Sequence, residues 1–204
     1  MNARVIQRAA SGGSLVSAAI ELLRSRGIGA TVRYGQAYFN ARFQLRRASS
    51  LGRARLVGKV RVSNAGTLVI EDRVRLDGTT VRIDLATFEG GKLVIGAGTF
   101  INYGTSISAV ESVSIGRDCA IGQYSIIMDC DHHDVSDLNS RGPVEPIVIE
   151  DNVWIGARSI ILRGSHVGRG AVIGANSIVK GYIPPDSLAV GSPARVVREI
   201  VRPD

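Results

Sequence analysis

From Ile149 onward an aliphatic residue recurs every six positions: Ile149, Ile155, Ile161, Val167, Ile173 and Val179. Four positions after each of the first five stands a small or β-branched residue, namely Val153, Ser159, Ser165, Ala171 and Ser177. The register is also present upstream at Ile95, Ile101 and Ile107 and at Ile115, Ile121 and Ile127, with Thr99, Thr105, Cys119 and Ser125 at the small offset. A weaker version passes through Ile70 and Leu76, with Val74 and Thr80. A helix returns to one face near 3.6 and 7 residues, so a strict period of six is not helical. Along a strand alternate residues share a face, so the small residue two places before each aliphatic one points the same way. One large and one small inward side chain per short strand, with three strands per coil, makes a narrow triangular tube. Its parallel strands stack about 4.8 Å apart. The pattern predicts an all-β parallel helix of hexapeptide repeats over residues 56–185, in roughly six coils. Gly156, Gly168 and Gly174 directly follow aliphatic positions and are expected to turn its corners.

The period breaks once, between Ile127 and Ile149, where charges, Gly and Pro replace it. Residues 129–147 therefore read as a loop leaving the coil wall. Two of the protein's three histidines, His132 and His133, stand at its start, which makes the loop a candidate site. Residues 1–55 read as a basic helical segment. Residues 186–204, after Pro184 and Pro185, read as a C-terminal segment whose residues 193–200 form a closing helix.

Charge divides the chain. Residues 1–61 carry twelve Lys and Arg against one acid, Glu21, within a total net charge of +7. The remainder is acidic on balance. The basic third is expected to meet an anionic surface or to cap the open end of the coil. Leu15, Val16, Ala19, Ile20, Leu22 and Leu23 offer an apolar stripe for peripheral contact with an anionic membrane. An Arg-rich, acid-poor start also has the composition of a transit peptide, although sixty residues with helical periodicity weigh against that. Nucleic-acid binding is not expected, because neither a zinc finger nor an aromatic-interleaved basic motif is visible. No apolar run reaches the ~18 residues of a membrane span. The two cysteines, Cys119 and Cys130, form no regular framework and read as reduced, which places the protein in the cytoplasm.

The stretches NVWIG (152–156), GANSIV (174–179) and GSPARVV (191–197) together resemble hexapeptide-repeat acyltransferases, in particular the maltose, galactoside and polysaccharide O-acetyltransferase branch. The resemblance is good over residues 95–201, loose over 56–94 and slight before that. It implies a left-handed coil, an exception to the right-handed crossover rule, and a homotrimer with sites between subunits. It also implies acetyl-coenzyme A as acyl donor, a sugar or glycan acceptor and no metal. Asp129-Cys130-Asp131-His132-His133 is similar to the family's Asp-Ser-Asp-aromatic-His, whose last residue is catalytic, so the resemblance makes His133 the base. An imidazole of ordinary pKa, about 6.5, removes a hydroxyl proton during attack and returns it to the leaving thiolate. Asp131 is expected on the acceptor side, and Asp131 and Asp129 are both candidates to orient the ring. FINYG (100–104) resembles the segment carrying an acceptor-binding Asn, here Asn102 beside Tyr103, although Asn also serves coil corners well. Val110 replaces an acid of some relatives, which implies a different acceptor pocket. Family correspondence assigns Ala157 and Ala175 to the pantetheine arm and Lys180, Arg195 and Arg198 to the phosphates. Lys180 stands one position earlier than the family's lysine. Trp154 has either a packing role or a cofactor contact.

Other readings of the same residues stay open at this point. Cys130 assisted by His133 is a candidate covalent nucleophile. A zinc carbonic anhydrase on this fold needs three spaced imidazoles, whereas His132 and His133 are adjacent and His166 is alone. Transfer to the amine of a nucleotide-linked sugar or an antibiotic differs from O-acetylation only in the acceptor.

Overall fold

The computed structural model describes residues 28–201, and the apolar stripe at 15–23 lies outside the described residues. After helix α1 (Ile28–Gln44) the chain winds through nineteen strands in seven coils. The first two coils are β1 (Ser50–Leu51) with β2 (Arg55–Asn64), then β3 (Thr67–Ile70) with β4 (Arg75–Thr87). The third and fourth are β5 (Lys92–Ile95), β6 (Phe100–Ile101) and β7 (Ser106–Ala109), then β8 (Ser112–Ile115), β9 (Ala120–Ile121) and β10 (Ile126–Met128). The fifth and sixth are β11 (Ile147–Ile149), β12 (Trp154–Ile155) and β13 (Ile160–Ile161), then β14 (His166–Val167), β15 (Val172–Ile173) and β16 (Ile178–Val179). The last holds β17 (Tyr182–Ile183) and β18 (Ser187–Gly191), followed by β19 (Ala194–Glu199).

Every coil-to-coil pairing is parallel, and three faces result. Face one stacks β1, β3, β5, β8, β11, β14 and β17. Face two stacks the first half of β4 with β6, β9, β12, β15 and β18. Face three stacks its second half with β7, β10, β13 and β16. The hexapeptide aliphatics point inward: Ile155, Ile161, Val167, Ile173 and Val179 are fully buried, and so are Ser159, Ala171 and Ser177 between them. The inward hydroxyls are satisfied rather than merely small. Ser125 and Ser159 donate to the carbonyls of Gly156 and Gly174 in the next coil at 3.1 and 3.0 Å, which removes the cost of burying them.

The corners differ from the expectation. The left-handed residue falls three positions after most of the aliphatics, as at Asp118, Arg158 and Gly164, and not directly after them. The glycines that follow the aliphatics are needed for close approach. A Cβ on Gly156 would lie 2.5 Å from the backbone nitrogen of Ala175 in the next coil. Thr80 also departs from the pattern, because it is exposed. The ladder between β2 and β4 shifts at Gly58, and the next inward residue is Ile83, one place late.

Both ends of the coil extend beyond residues 56–185. At the start, β1 and β2 form an extra coil whose outer edge is covered by α1. Ala37, Ala41 and Leu45, four residues apart, face the coil. Asn40 Nδ2 donates to the carbonyls of Leu56 and Gly58, and Gln44 Oε1 accepts from Val60 N–H, so side chains replace a neighbouring strand. Helix α1 thus covers the open end of the coil. On its outward side Arg42 and Arg46 stack on Tyr38 and Phe43. At the other end the expected helix over 193–200 is a strand. β19 pairs antiparallel with β18, Val190 opposite Arg195, because the last coil otherwise leaves a bare edge and the run Arg195-Val196-Val197 suits a strand.

Candidate active site

The loop leaves the wall after β10 at the edge between faces three and one and returns at β11. Asp129 occupies an inward position and is completely buried. Its carboxylate accepts the backbone N–H groups of Val110, Glu111 and Ser112 in the preceding coil, each at 2.8 Å. It therefore anchors the root of the loop and does not orient the His133 ring. A bridge between Cys130 and Val144 closes the neck, and Asp131 N–H donates to the Pro143 carbonyl at 3.2 Å. Asp131 is paired through its carboxylate with Arg163 at 2.7 Å, so it does not hold the imidazole either.

The imidazole is held by the loop itself. His133 Nδ1 lies 2.7 Å from the Leu138 carbonyl oxygen. A carbonyl only accepts, so Nδ1 is the donor, and Nε2 is the nitrogen left without this bond on an exposed side chain. His132, by contrast, adopts a left-handed backbone with φ of 58° and packs its ring near Phe88. Cys130 is buried, and its sulfur accepts the His132 N–H at 3.1 Å, which is a structural environment for a thiol. Burial pushes the Cys119 thiol up to about 11, and it stays protonated.

A groove of about 520 Å³ runs along face two. Its floor includes Phe100, Ala120, Trp154, Val172 and Leu188, the outward residues of five successive strands, and its rim includes Asn102, Ala157 and Ala175. The structure thus brings together three residues singled out in the sequence, with Trp154 exposed between them rather than packed in the core. Asn102 serves the corner as well: its Oδ1 accepts Tyr103 N–H at 2.8 Å. Arg198 lies opposite Leu188 on the strand beside the groove's end, and Arg195 opposite Val190; both are exposed. His133, Asp131 and Lys180 are not in the groove. Asn102 and Ala157 precede face three and the loop follows it, so a whole face separates the imidazole from the groove in one subunit. Among the described residues, no three His, Cys, Asp or Glu side chains could share a metal ion.

Residues 146–180 match the family model described as the hexapeptide repeat of succinyl-transferase. The WbbJ protein of Escherichia coli, named for lipopolysaccharide-biosynthesis O-acetyl transfer, is 32% identical over 133 residues, covering 60% of this chain and 67% of that protein. The chain belongs to the hexapeptide-repeat acyltransferase family. Another family member, the galactoside O-acetyltransferase of Escherichia coli, is 36% identical over 113 residues, covering 54% of this chain and 56% of that one. The chain spans about half the length of some of the curated relatives it matches and about a third of others. A hexapeptide-repeat acetyltransferase of Vibrio cholerae, solved with acetyl coenzyme A, shares the fold with a TM-score of 0.55 at 24% identity, covering 99% of this chain and 100% of that one. The family's repeat is legible in the wall of this chain, whereas the loop anchor at Asp129 emerges only from the stacking of coils.

Proposed function

We propose that this chain is an acetyl-coenzyme A-dependent O-acetyltransferase acting on a hydroxyl of a sugar or glycan precursor, with His133 as general base. The observation that carries this reading is the bond from His133 Nδ1–H to the Leu138 carbonyl, which leaves Nε2 as the nitrogen through which the neutral ring would take a proton. Nε2 takes the proton of the acceptor hydroxyl as its oxygen attacks the thioester carbonyl. Collapse of the tetrahedral adduct expels the coenzyme A thiolate, which takes the proton from the imidazolium, so the base is restored. The pantetheine arm lies along the face-two groove against Ala157 and Ala175, where small side chains let its amides reach the backbone. Arg195 and Arg198 beyond the groove's end meet the phosphates. Asn102 on the rim meets the acceptor. The test is acetyl-coenzyme A turnover against a panel of sugars, nucleotide-linked amino sugars and aminoglycoside antibiotics. Turnover with amines alone would reassign the reaction to N-acetylation, and turnover with none of the panel would remove the reading.

Because a face of the coil separates His133 from the groove, the working site takes the groove of one copy and the loop of another. A homotrimer satisfies this around a three-fold axis. It also covers the outward aliphatics Ile126, Ile160 and Ile178 of face three, and it brings Lys180, at the same edge as the loop, to a neighbour's groove. Light scattering at micromolar concentration is expected to give three times 21.7 kDa. An active monomer would contradict the shared site.

No described helix is long and apolar enough to cross a membrane. Peripheral contact with an anionic bilayer is supported by the outward side of α1, where Phe39 and Phe43 are 71% and 69% exposed among arginines. Residues 28–61 carry eight Lys and Arg and no acid, and each basic group near an anionic surface contributes about 1 kcal/mol. Sedimentation with anionic liposomes is expected to be salt-sensitive, absent with neutral liposomes and lost when Phe39 and Phe43 are both changed to Ser. Binding that survives this double change, or that favours RNA over lipid, would refute the lipid contact.

A further inference from the structure

The catalytic assignment leaves a mechanical question, and the answer lies outside the loop. The bond to Leu138 fixes the His133 ring relative to its own loop, since both residues belong to it. A base must also be fixed relative to the coil that carries the acyl donor. The loop tip at residues 134–140 is built from short-range turns, such as Asp137 Oδ1 accepting Asn139 N–H at 3.0 Å, which give no purchase on the coil. The tie has to come at the neck.

We infer that Arg163 is the positioning residue for His133, holding both strands of the loop neck to the coil through Asp131 and Glu145. This inference rests on the reading of His133 as the base. Arg163 follows β13, one coil beyond the point where the loop departs, on the same edge. Its Nε donates to Asp131 Oδ2 at 2.7 Å, and its Nη1 donates to Glu145 Oε1. Asp131 belongs to the outgoing strand of the neck and Glu145 to the returning one, so one guanidinium clamps both. Only 14% of the Arg163 side chain is exposed, so the guanidinium is enclosed between the neck and the coil. The next residue makes room for it: a Cβ on Gly164 would lie 2.2 Å from Glu145 Oε2, and Gly164 N–H donates to the Glu145 carbonyl at 3.1 Å. The guanidinium is also held above its ordinary pKa, chiefly by the hydrogen bond to Asp131.

The grip passes to His133 along a short path. The Asp131 carbonyl accepts the His133 N–H at 2.6 Å, across the left-handed His132 between them. A non-glycine residue in that conformation is strained and persists only where its neighbours are held. Arg163 holds one neighbour, and the other is His133 itself. On the far side Gly142 closes against the turn, since a Cβ there would meet the His133 carbonyl at 2.4 Å. Arginine suits the task because its planar fork serves two carboxylates from one side chain, which a lysine ammonium does less well.

The test uses the full chain labelled with ¹⁵N-histidine, which carries only three imidazoles. In the unsubstituted protein one ring should show the Nδ1–H tautomer, and His133→Ala should remove that signal. Arg163→Met is expected to leave this ring in the Nδ1–H form, because Leu138 moves with the loop, and to broaden its signal as the loop loses its tie to the coil, with the thermal midpoint of the coil little changed. Arg163→Lys should restore part of the sharpness. Turnover with the best acceptor of the panel should fall about tenfold or more in Arg163→Met, with KM for acetyl-coenzyme A unchanged because the groove is on another face. Placed in the His133→Ala background, Arg163→Met should cost nothing further. An unchanged linewidth in Arg163→Met, or an equal loss of turnover in both backgrounds, would overturn the inference while leaving His133 as the base. Full turnover in His133→Ala would instead sink the reading on which it rests.

Discussion

His133→Ala is expected to lower acetyl transfer by about 10²–10⁴, the usual cost of removing a positioned base, while His132→Asn stays within a few-fold of the parent chain. The neighbouring histidines differ in what holds them. The His133 imidazole donates Nδ1–H to the Leu138 carbonyl and presents Nε2, whereas His132 spends its backbone N–H on the Cys130 sulfur and sets its ring near Phe88. Asn is the fitting replacement at His132 because it tolerates the left-handed backbone there, so the substitution removes the ring without adding strain. Coenzyme A affinity should survive both changes, since neither residue lines the groove. Cys130→Ala should keep most activity, because a buried thiol with a structural partner is a poor nucleophile. The measurement is thiol release from acetyl-coenzyme A in the presence of acceptor. Equal losses at His132 and His133 would undo the assignment of the base, and a dead Cys130→Ala would revive a covalent route.

The largest effect on folding is expected at Asp129. Asp129→Ala removes the acceptor for three backbone N–H groups and leaves them enclosed between coils. A hydrogen bond to a charged group is worth about 1.5–3 kcal/mol, and unpaired buried donors add their own cost. Some compensation by water entering at the loop is allowed for, and the loss should still reach roughly 3–5 kcal/mol, comparable to breaking a buried charge pair. Asp129→Asn keeps the shape and, with its oxygen in the place of Oδ2, the bonds from Glu111 and Ser112, so it should recover part of the loss while facing an NH₂ to Val110 N–H. Urea denaturation followed by circular dichroism measures this, and a change below about 1 kcal/mol would show that the three bonds are dispensable. Transfer activity should fall together with stability, because the same carboxylate roots the loop that carries His133.

The wall of this protein is encoded in consecutive residues. The inward positions, their alternation of large and small, and the place where the wall opens at residues 129–147 are all written at a spacing of six. Each of these follows from steric demands felt within one short strand, so consecutive residues suffice to read them. His133 was legible as a scarce imidazole in the one interruption, with the resemblance to the family supplying its role. Tertiary structure decided whatever depends on residues one coil away or on the ends of the stack. Gly156 is required by the backbone of Ala175, and Asp129 answers to Val110, Glu111 and Ser112; no local pattern announces either. Residues 194–199 became a strand because the last coil had an edge to cover, a demand made by β18 and not by their own composition. Asn102, Ala157 and Ala175 meet in one groove, and His133 stands a full face away, because stacking sets neighbours along the tube while the order of faces sets distances around it.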